Sequence, residues 1–587
     1  QGDTTRVARP TRMALLRVAT TPYSVTAPSS SPSLHAPLAS RTRSLPAVGS
    51  GYHRVVASSS RAPCPRVARV VTIAQRQRAF APSQAPRRVV QAAASGGSFA
   101  SGMFEQLRAR ANAAMSPLSA GASAPAGRAS LQGVVFTDSA PTWEALASRV
   151  TALRAQHGQS SAPPDLENGP TSTHALVRRF GTTGEPRVLL YRDSAAWCPY
   201  CQKIWMQLEE KKIPYRVEKI NMRCYGDKKK SFTDRVPSGM LPVVEIDGVI
   251  ITDSAAIAAT IEDKFPDNNP LVPPQGTPGR ERADSLNRLE RALFGKWMQW
   301  LTSGWMDGTN RSAYEEVLDV VDRELAAAPG GGPYFMGPEL TLVDITFTPF
   351  LERMAASLAY FKGFKMENSG GRWAALDGWF EAMAGREETY VHIKSDYYTH
   401  VHDLPPQLGG CEPNGDDEQK AFKAEIDGVR STLSDSWRLP LAPLGPDSPE
   451  PWWLPEAPAL DRLEAAAKLI GNHTAIVRFA ARGCGTPGNR PVAAKLSDPT
   501  ATPGEKHIPA VDAALRRVCH ELLEGTAVGG GAGDVGAGAK GAELAADPAA
   551  RSLAYLRDRV GVPRDMHFPA ARQLRAHLNW FIDGLHA

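Results

Sequence analysis

At 587 residues, 42% hydrophobic and 22% charged, the chain is too long for one domain, and about two to four are expected; it holds no run of about 18 apolar residues, so no membrane span is indicated. Its net charge of +6 is concentrated at one end: residues 1–95 carry fourteen Arg, no Lys and the single acid Asp3, which is +13 and leaves −7 for the remainder. The folded part is therefore acidic, which withdraws the electrostatic support for a nucleic-acid partner.

Residues 1–95 are rich in Arg, Ser, Ala and Pro, the composition of a transit peptide. A chloroplast stromal address is expected, with the mitochondrion as the alternative because the two transit classes overlap in composition. Val90-Gln91-Ala92-Ala93 resembles a stromal processing site. A lead-in follows over 96–185, with short helices expected at Phe104–Met115 and Trp143–Gln156. Thr142 suits the cap of the second, and Leu146, Val150 and Leu153 share one face. Pro163-Pro164 and Gly169-Pro170 then break the chain.

Residues 186–266 alternate strand and helix. Val188-Leu189-Leu190-Tyr191 reads as a buried strand, Pro199 to Glu210 as a helix, and Tyr215 to Ile220 as a second strand. Val243 to Ile246 and Val249 to Ile251 flank Asp247-Gly248, a strong hairpin turn, and Asp253-Ser254 opens a helix. The order β-α-β then β-β-α is a thioredoxin-like α/β arrangement. Five prolines between Pro266 and Pro278 mark a linker.

Residues 279–403 read as all-α, with Leu286, Leu289, Leu293 and Trp297 at helical spacing and Thr341-Leu342-Val343-Asp344 as a capping box. A mostly helical C-terminal extension over 411–587 has patches at 416–433, 458–470, 510–523 and 568–583, with a Gly/Ala-rich flexible insertion over 525–547. Its aromatic residues, Trp437, Trp452, Trp453, Phe479, Trp580 and Phe581, predict packing onto the all-α half.

Of the seven cysteines only Cys198 and Cys201 are close in sequence. This is neither a secreted disulfide framework nor a four-ligand zinc site, so no metal is expected. In Cys198-Pro199-Tyr200-Cys201, the first thiol follows a strand and starts a helix. Unpaired backbone N–H groups and the positive dipole end favour its thiolate, and Pro199 suits the first turn. Cys201, one turn in, can resolve a mixed disulfide. The downstream Leu241-Pro242 and the helix start at Asp253-Ser254 strengthen the pattern; Ser254 can cap the helix, and the same donors suit a ligand carboxylate. In Lys228-Lys229-Lys230, a lysine either reaches a second carboxylate or is a solvated loop charge. Tyr200, Trp297 and Trp300 either wall a substrate pocket or pack in the core. His392, His400 and His402 match no ligand spacing and are expected at the surface. Cys224 reads as a packed thiol.

These residues resemble the glutathione transferase superfamily in its cysteine-containing branch, over about 165–400. The runs Asp165 to Pro170, Ala196 to Lys203 and Met222 to Gly226, with Arg557 to Met566 and Gln573 to Trp580 in the extension, are similar to the iota class of photosynthetic organisms. The resemblance implies glutathione as substrate, with its sulfur at Cys198. The Leu241 backbone, beside a cis Pro242, would pair with its cysteinyl part. Asp253 and Ser254 would hold its γ-glutamyl end and Lys228 its glycyl carboxylate. It also implies a small-molecule or protein disulfide or adduct as second substrate, and a homodimer. The activity expected is thiol transfer and deglutathionylation. The alternatives are reduction of dehydroascorbate or quinone adducts, and a module binding glutathione or an iron–sulfur cluster while the extension recruits a partner. The usual cysteine-type pattern lacks a second thiol, so Cys201 leaves one-thiol and two-thiol cycles both open.

Overall fold

A computed structural model describes residues 130–160, 162–428, 435–489, 494–526 and 542–586. The leader expected over 1–95 and the helix expected over 104–115 lie outside them, as do residues 527–541 of the Gly/Ala-rich stretch.

The strands are β1 (Val135–Thr137), β2 (Val177–Arg178), β3 (Val188–Asp193), β4 (Tyr215–Ile220), β5 (Val243–Ile246), β6 (Val249–Ile251) and β7 (Glu543–Ala545). Five of them form one sheet in the order β2-β4-β3-β5-β6. β3 lies at its centre because its residues Val188 and Leu190 are fully buried. β3 and β4 are parallel, which demands a crossover, and the helix Pro199–Glu210 supplies it. β5 and β6 are antiparallel. Asp247 and Gly248 between them take positive φ of 51° and 82°, the backbone that a tight hairpin needs and that Asp-Gly tolerates.

The all-α half is built around the helix Leu342–Lys362, nearly all of it buried. Its start is fixed by the capping box from Thr341 to Asp344. Asp344 also accepts from the Phe335 amide at 3.0 Å and the Trp379 indole at 3.2 Å, so the cap locks neighbouring elements as well. This helix packs across the Pro199–Glu210 helix and the long helix Pro278–Leu301.

The C-terminal extension has a hydrophobic core of its own, built from residues such as Leu469, Val518, Leu553, Leu574 and Phe581. Leu146 and Val150 belong to it, so the helix Trp143–Gln156 is part of the extension and not of a lead-in to the sheet domain. β1 pairs antiparallel with β7. The Trp143 indole donates to Asp512 at 2.8 Å, and Arg516 pairs with Asp138 at 2.6 Å. The stretch read as flexible over 525–547 therefore ends in a paired strand and the start of the helix Ala546–Arg557. The extension also meets the all-α half, as its aromatic residues suggested: Trp437 and Leu496 join the larger core. At the seam, Arg575 pairs with Asp396 at 2.6 Å with both side chains buried, and the Val562 amide donates to Thr399. His400, 1% exposed, is buried against Glu352 and Trp197, and the extension's Asp427 and Lys495 enclose most of His402. Both were expected at the surface.

Candidate active site

β3 ends at Asp193, a short loop turns through Ala196 at a φ of 57°, and Cys198 becomes the N-cap of the Pro199–Glu210 helix. Asp193 accepts from the Trp197 amide at 2.7 Å, which fixes that loop. Cys198 is half-buried and Cys201 is buried. Ligand atoms of Asp193, Cys198 and Cys201 lie within 4.8 Å of one another. Three donors fall short of the four of a structural zinc site, and no fourth His, Cys, Asp or Glu joins them among the described residues. Burial, then the hydrogen bond and charge of Cys198, push the Cys201 thiol well above its ordinary value. Cys201 is thus a protonated thiol behind Cys198.

Below the two cysteines lies a buried polar cluster that no sequence motif marked. Arg353, 1% exposed, donates to the carbonyl of Trp197 and to the Gln202 side chain at 3.0 Å, and its guanidinium lies 4.7 Å over the Trp197 ring. Gln202 donates to Glu352 at 3.0 Å. Burial opposes ionisation of Glu352, but His400 3.4 Å away, the charge of Arg353 and the bond from Gln202 hold its carboxyl below the usual range. His400 is pushed down to about 4 by burial and by the Arg353 charge. An Arg-Glu-His cluster far apart in sequence gives no periodic or motif signal.

The Leu241-Pro242 bond is cis. Tyr191 of β3 pairs with Val243 of β5, which brings Pro242 beside the end of β3 that feeds the Cys198 loop. Lys228 donates to the Gly239 carbonyl and so holds the loop that carries Leu241. At the next helix the cap is Asp253, not Ser254: Asp253 accepts from the Ala256 amide at 2.8 Å. Ser254 is the first helical residue, half-buried, and its hydroxyl has no hydrogen-bond partner among the described residues.

Of the two readings open for Trp297 and Trp300, core packing is the one observed. Trp297 and Trp300 are 2% and 0% exposed, with indoles satisfied by Ser357 at 2.9 Å and Asp307 at 2.8 Å. They are core residues. The aromatic neighbours of Tyr200 are Phe350, with ring centres 5.7 Å apart, and Phe294 behind it. On the same side, burial pushes the Glu290 carboxyl up to about 7 against the nearby charge of Lys203. Cys224 is buried, its thiol raised to about 12 by burial, as befits a packed residue.

Family models for "Glutathione S-transferase, N-terminal domain" and "Glutathione S-transferase, C-terminal domain" match residues 197–264 and 291–388. Residues 197–264 and 291–388 are thus glutathione S-transferase N- and C-terminal domains. The first match begins at the Cys198 helix and the second takes in the helix that carries Arg353, but neither reaches the C-terminal extension. It is 28% identical over 172 residues to Glutathione S-transferase DHAR2 of Arabidopsis thaliana, spanning 29% of this chain and 74% of that protein. With Probable glutathione S-transferase DHAR1, cytosolic, of Oryza sativa subsp. japonica it shares 27% over 204 residues, 35% of this chain and 86% of the relative. With Glutathione S-transferase DHAR3, chloroplastic, of Arabidopsis thaliana it shares 28%, over 29% of this chain and 60% of that one. The crystal structure of a Chlamydomonas reinhardtii dehydroascorbate reductase aligns at 24% identity and a TM-score of 0.29, covering 36% of this chain and 93% of the other. No helix among the described residues is long and apolar enough to cross a membrane.

Proposed function

We propose that this transferase reduces glutathione mixed disulfides with Cys198 as nucleophile. The observation that carries the reading is a half-exposed cysteine at a helix start, backed by a buried protonated thiol and a buried arginine. The Cys198 thiolate attacks the glutathionyl sulfur of a mixed disulfide. A bond forms between Cys198 and glutathione, and the substrate leaves as a thiolate that takes a proton from solvent. A second glutathione thiolate attacks the Cys198-bound sulfur, releases oxidised glutathione and restores the Cys198 thiolate. Leu241 would meet the cysteinyl part of glutathione, Ser254 and Asp253 its γ-glutamyl end, and Lys228 its glycyl carboxylate. The unpartnered Ser254 hydroxyl supports that assignment. Tyr200 and Phe350 would flank the leaving substrate.

The likeness to the DHAR proteins favours dehydroascorbate as a second acceptor. Cys198 would add to a carbonyl of dehydroascorbate. Glutathione would then attack the Cys198 sulfur and release ascorbate, and a second glutathione would clear Cys198 as oxidised glutathione. Turnover on a panel of glutathionylated peptides beside dehydroascorbate tests both readings. Activity on neither, with Cys198 intact and reduced, overturns both. The iota-class assignment rests on the runs quoted above. The Arg-rich residues 1–95 support a stromal location, as does a relative named chloroplastic; import of a fluorescent fusion into isolated chloroplasts tests it.

A further inference from the structure

A cavity of about 920 Å³ opens where the extension meets the sheet domain. That is the size range of small-molecule sites. Neither Cys198 nor any residue assigned above to glutathione lines it. Five cationic side chains do: Lys468, Arg478, Arg482, Arg559 and Arg564. They come from separate segments of the extension and are brought together only by its fold. Two carboxylates, Asp498 and Asp565, face them. Asp565 is held by Arg564 at 2.7 Å, and Glu505 at 2.6 Å engages Arg478. The lining remains net positive. Like charges gathered in one concavity repel one another, and a bound anion relieves that repulsion. Arginine forks suit carboxylate and phosphate oxygens. Ile476, Phe479 and Leu496 belong to the apolar part of the wall.

We infer that the extension holds a second binding site, for an organic anion with a phosphate or carboxylate head and an apolar body. The head lies among Lys468, Arg482 and Arg559, and the body rests on Phe479 and Ile476. The floor is Tyr225, whose ring lies 5.6 Å from the Arg564 guanidinium and whose hydroxyl donates to Asp403 at 3.0 Å. The cavity thus abuts the transferase half without sharing its cleft.

The test uses the full chain and 8-anilinonaphthalene-1-sulfonate, an apolar ring system with one anionic group, followed by fluorescence with excess S-hexylglutathione present to fill the Cys198 cleft. One saturable site should persist. The double variant Lys468→Gln/Arg482→Gln should bind the probe about ten-fold more weakly, the effect of losing a charged hydrogen bond. Ala475→Trp, which fills the cavity and removes no charge, should abolish binding while circular dichroism, thermal midpoint and turnover at Cys198 stay unchanged. Naphthyl phosphate or naphthoate should displace the probe, and the stronger of the two identifies the head group; neutral naphthol should not. Unchanged affinity in both variants, equal displacement by naphthol, or complete displacement by S-hexylglutathione overturns the site. The two variants locate it whether or not Cys198 has the activity proposed above.

Discussion

The guanidinium of Arg353 donates to the carbonyl oxygen of Trp197, one residue before Cys198. A charge on the central helix of the all-α half therefore holds the start of the cysteine helix in the sheet half.

Arg353→Met should cost about 3–5 kcal/mol, because it leaves Glu352 buried without its cation. Arg353→Lys keeps the charge but not the planar fork that meets Trp197 and Gln202 together, and should fall between. Urea unfolding reads the stability and iodoacetamide consumption reads Cys198 reactivity. Wild-type behaviour of the methionine variant in both would remove Arg353 from the account.

Cys198→Ser should reduce thiol transfer to background, whereas Cys201→Ser should keep most of it. The reason is burial: Cys201 is 1% exposed and its thiol stays protonated. Equal loss in the two variants would mean an obligate two-thiol cycle.

Asp403 is fully buried, and burial pushes its carboxyl up to about 7 despite the Tyr225 hydroxyl and the charge of Arg564. The folded protein then binds more protons than the unfolded chain between about pH 4 and 7, so this group's contribution is complete below about pH 4 and is lost as pH rises through about 7. Asp403→Asn removes that dependence and still accepts from Tyr225. Relative to wild type, the variant should gain a few kcal/mol between about pH 5 and about pH 8. Denaturant titrations at the two pH values check this, and a constant offset would contradict it.

Ser254→Ala should weaken glutathione binding by roughly 1–2 kcal/mol through one lost hydrogen bond and leave stability nearly untouched, since Asp253 makes the cap. Asp253→Ala should cost about 1 kcal/mol of stability. Calorimetry and thermal unfolding of the pair separate the roles. A stability loss confined to the serine variant would reverse them.

Arg575→Met should cost about 3–5 kcal/mol by stranding buried Asp396, and should open the seam of the extension. Limited proteolysis near 405–415 should leave the wild-type halves associated on a sizing column and release them in the variant. Separation of the wild-type halves would mean that the seam is weak.

The local features of the site were legible in the sequence. Each is made within one element or one turn: the helix start at Cys198-Pro199, the Asp247-Gly248 hairpin, the Thr341 to Asp344 box and the Asp253-Ser254 helix start need only neighbours a few residues away. Even there the cap at Asp253 was placed one residue late, because both residue types can accept the same amide and only the backbone angles choose between them. What the sequence could not determine depends on which faces meet. Leu286, Leu293 and Trp297 repeat as a core stripe whether that stripe faces a pocket or another helix, and the contact with Ser357 put Trp297 in the core. Arg353, Glu352 and His400 form one cluster only after the Leu342–Lys362 helix packs against both the cysteine helix and the helix Tyr397–Asp403 that carries His400. The pairing of Val135–Thr137 with Glu543–Ala545 joins segments about four hundred residues apart in the chain, and two three-residue strands carry no pattern that names a partner. Short-range hydrogen bonding writes itself into adjacent residues; burial and charge pairing are properties of surfaces, and those exist only once the chain has folded.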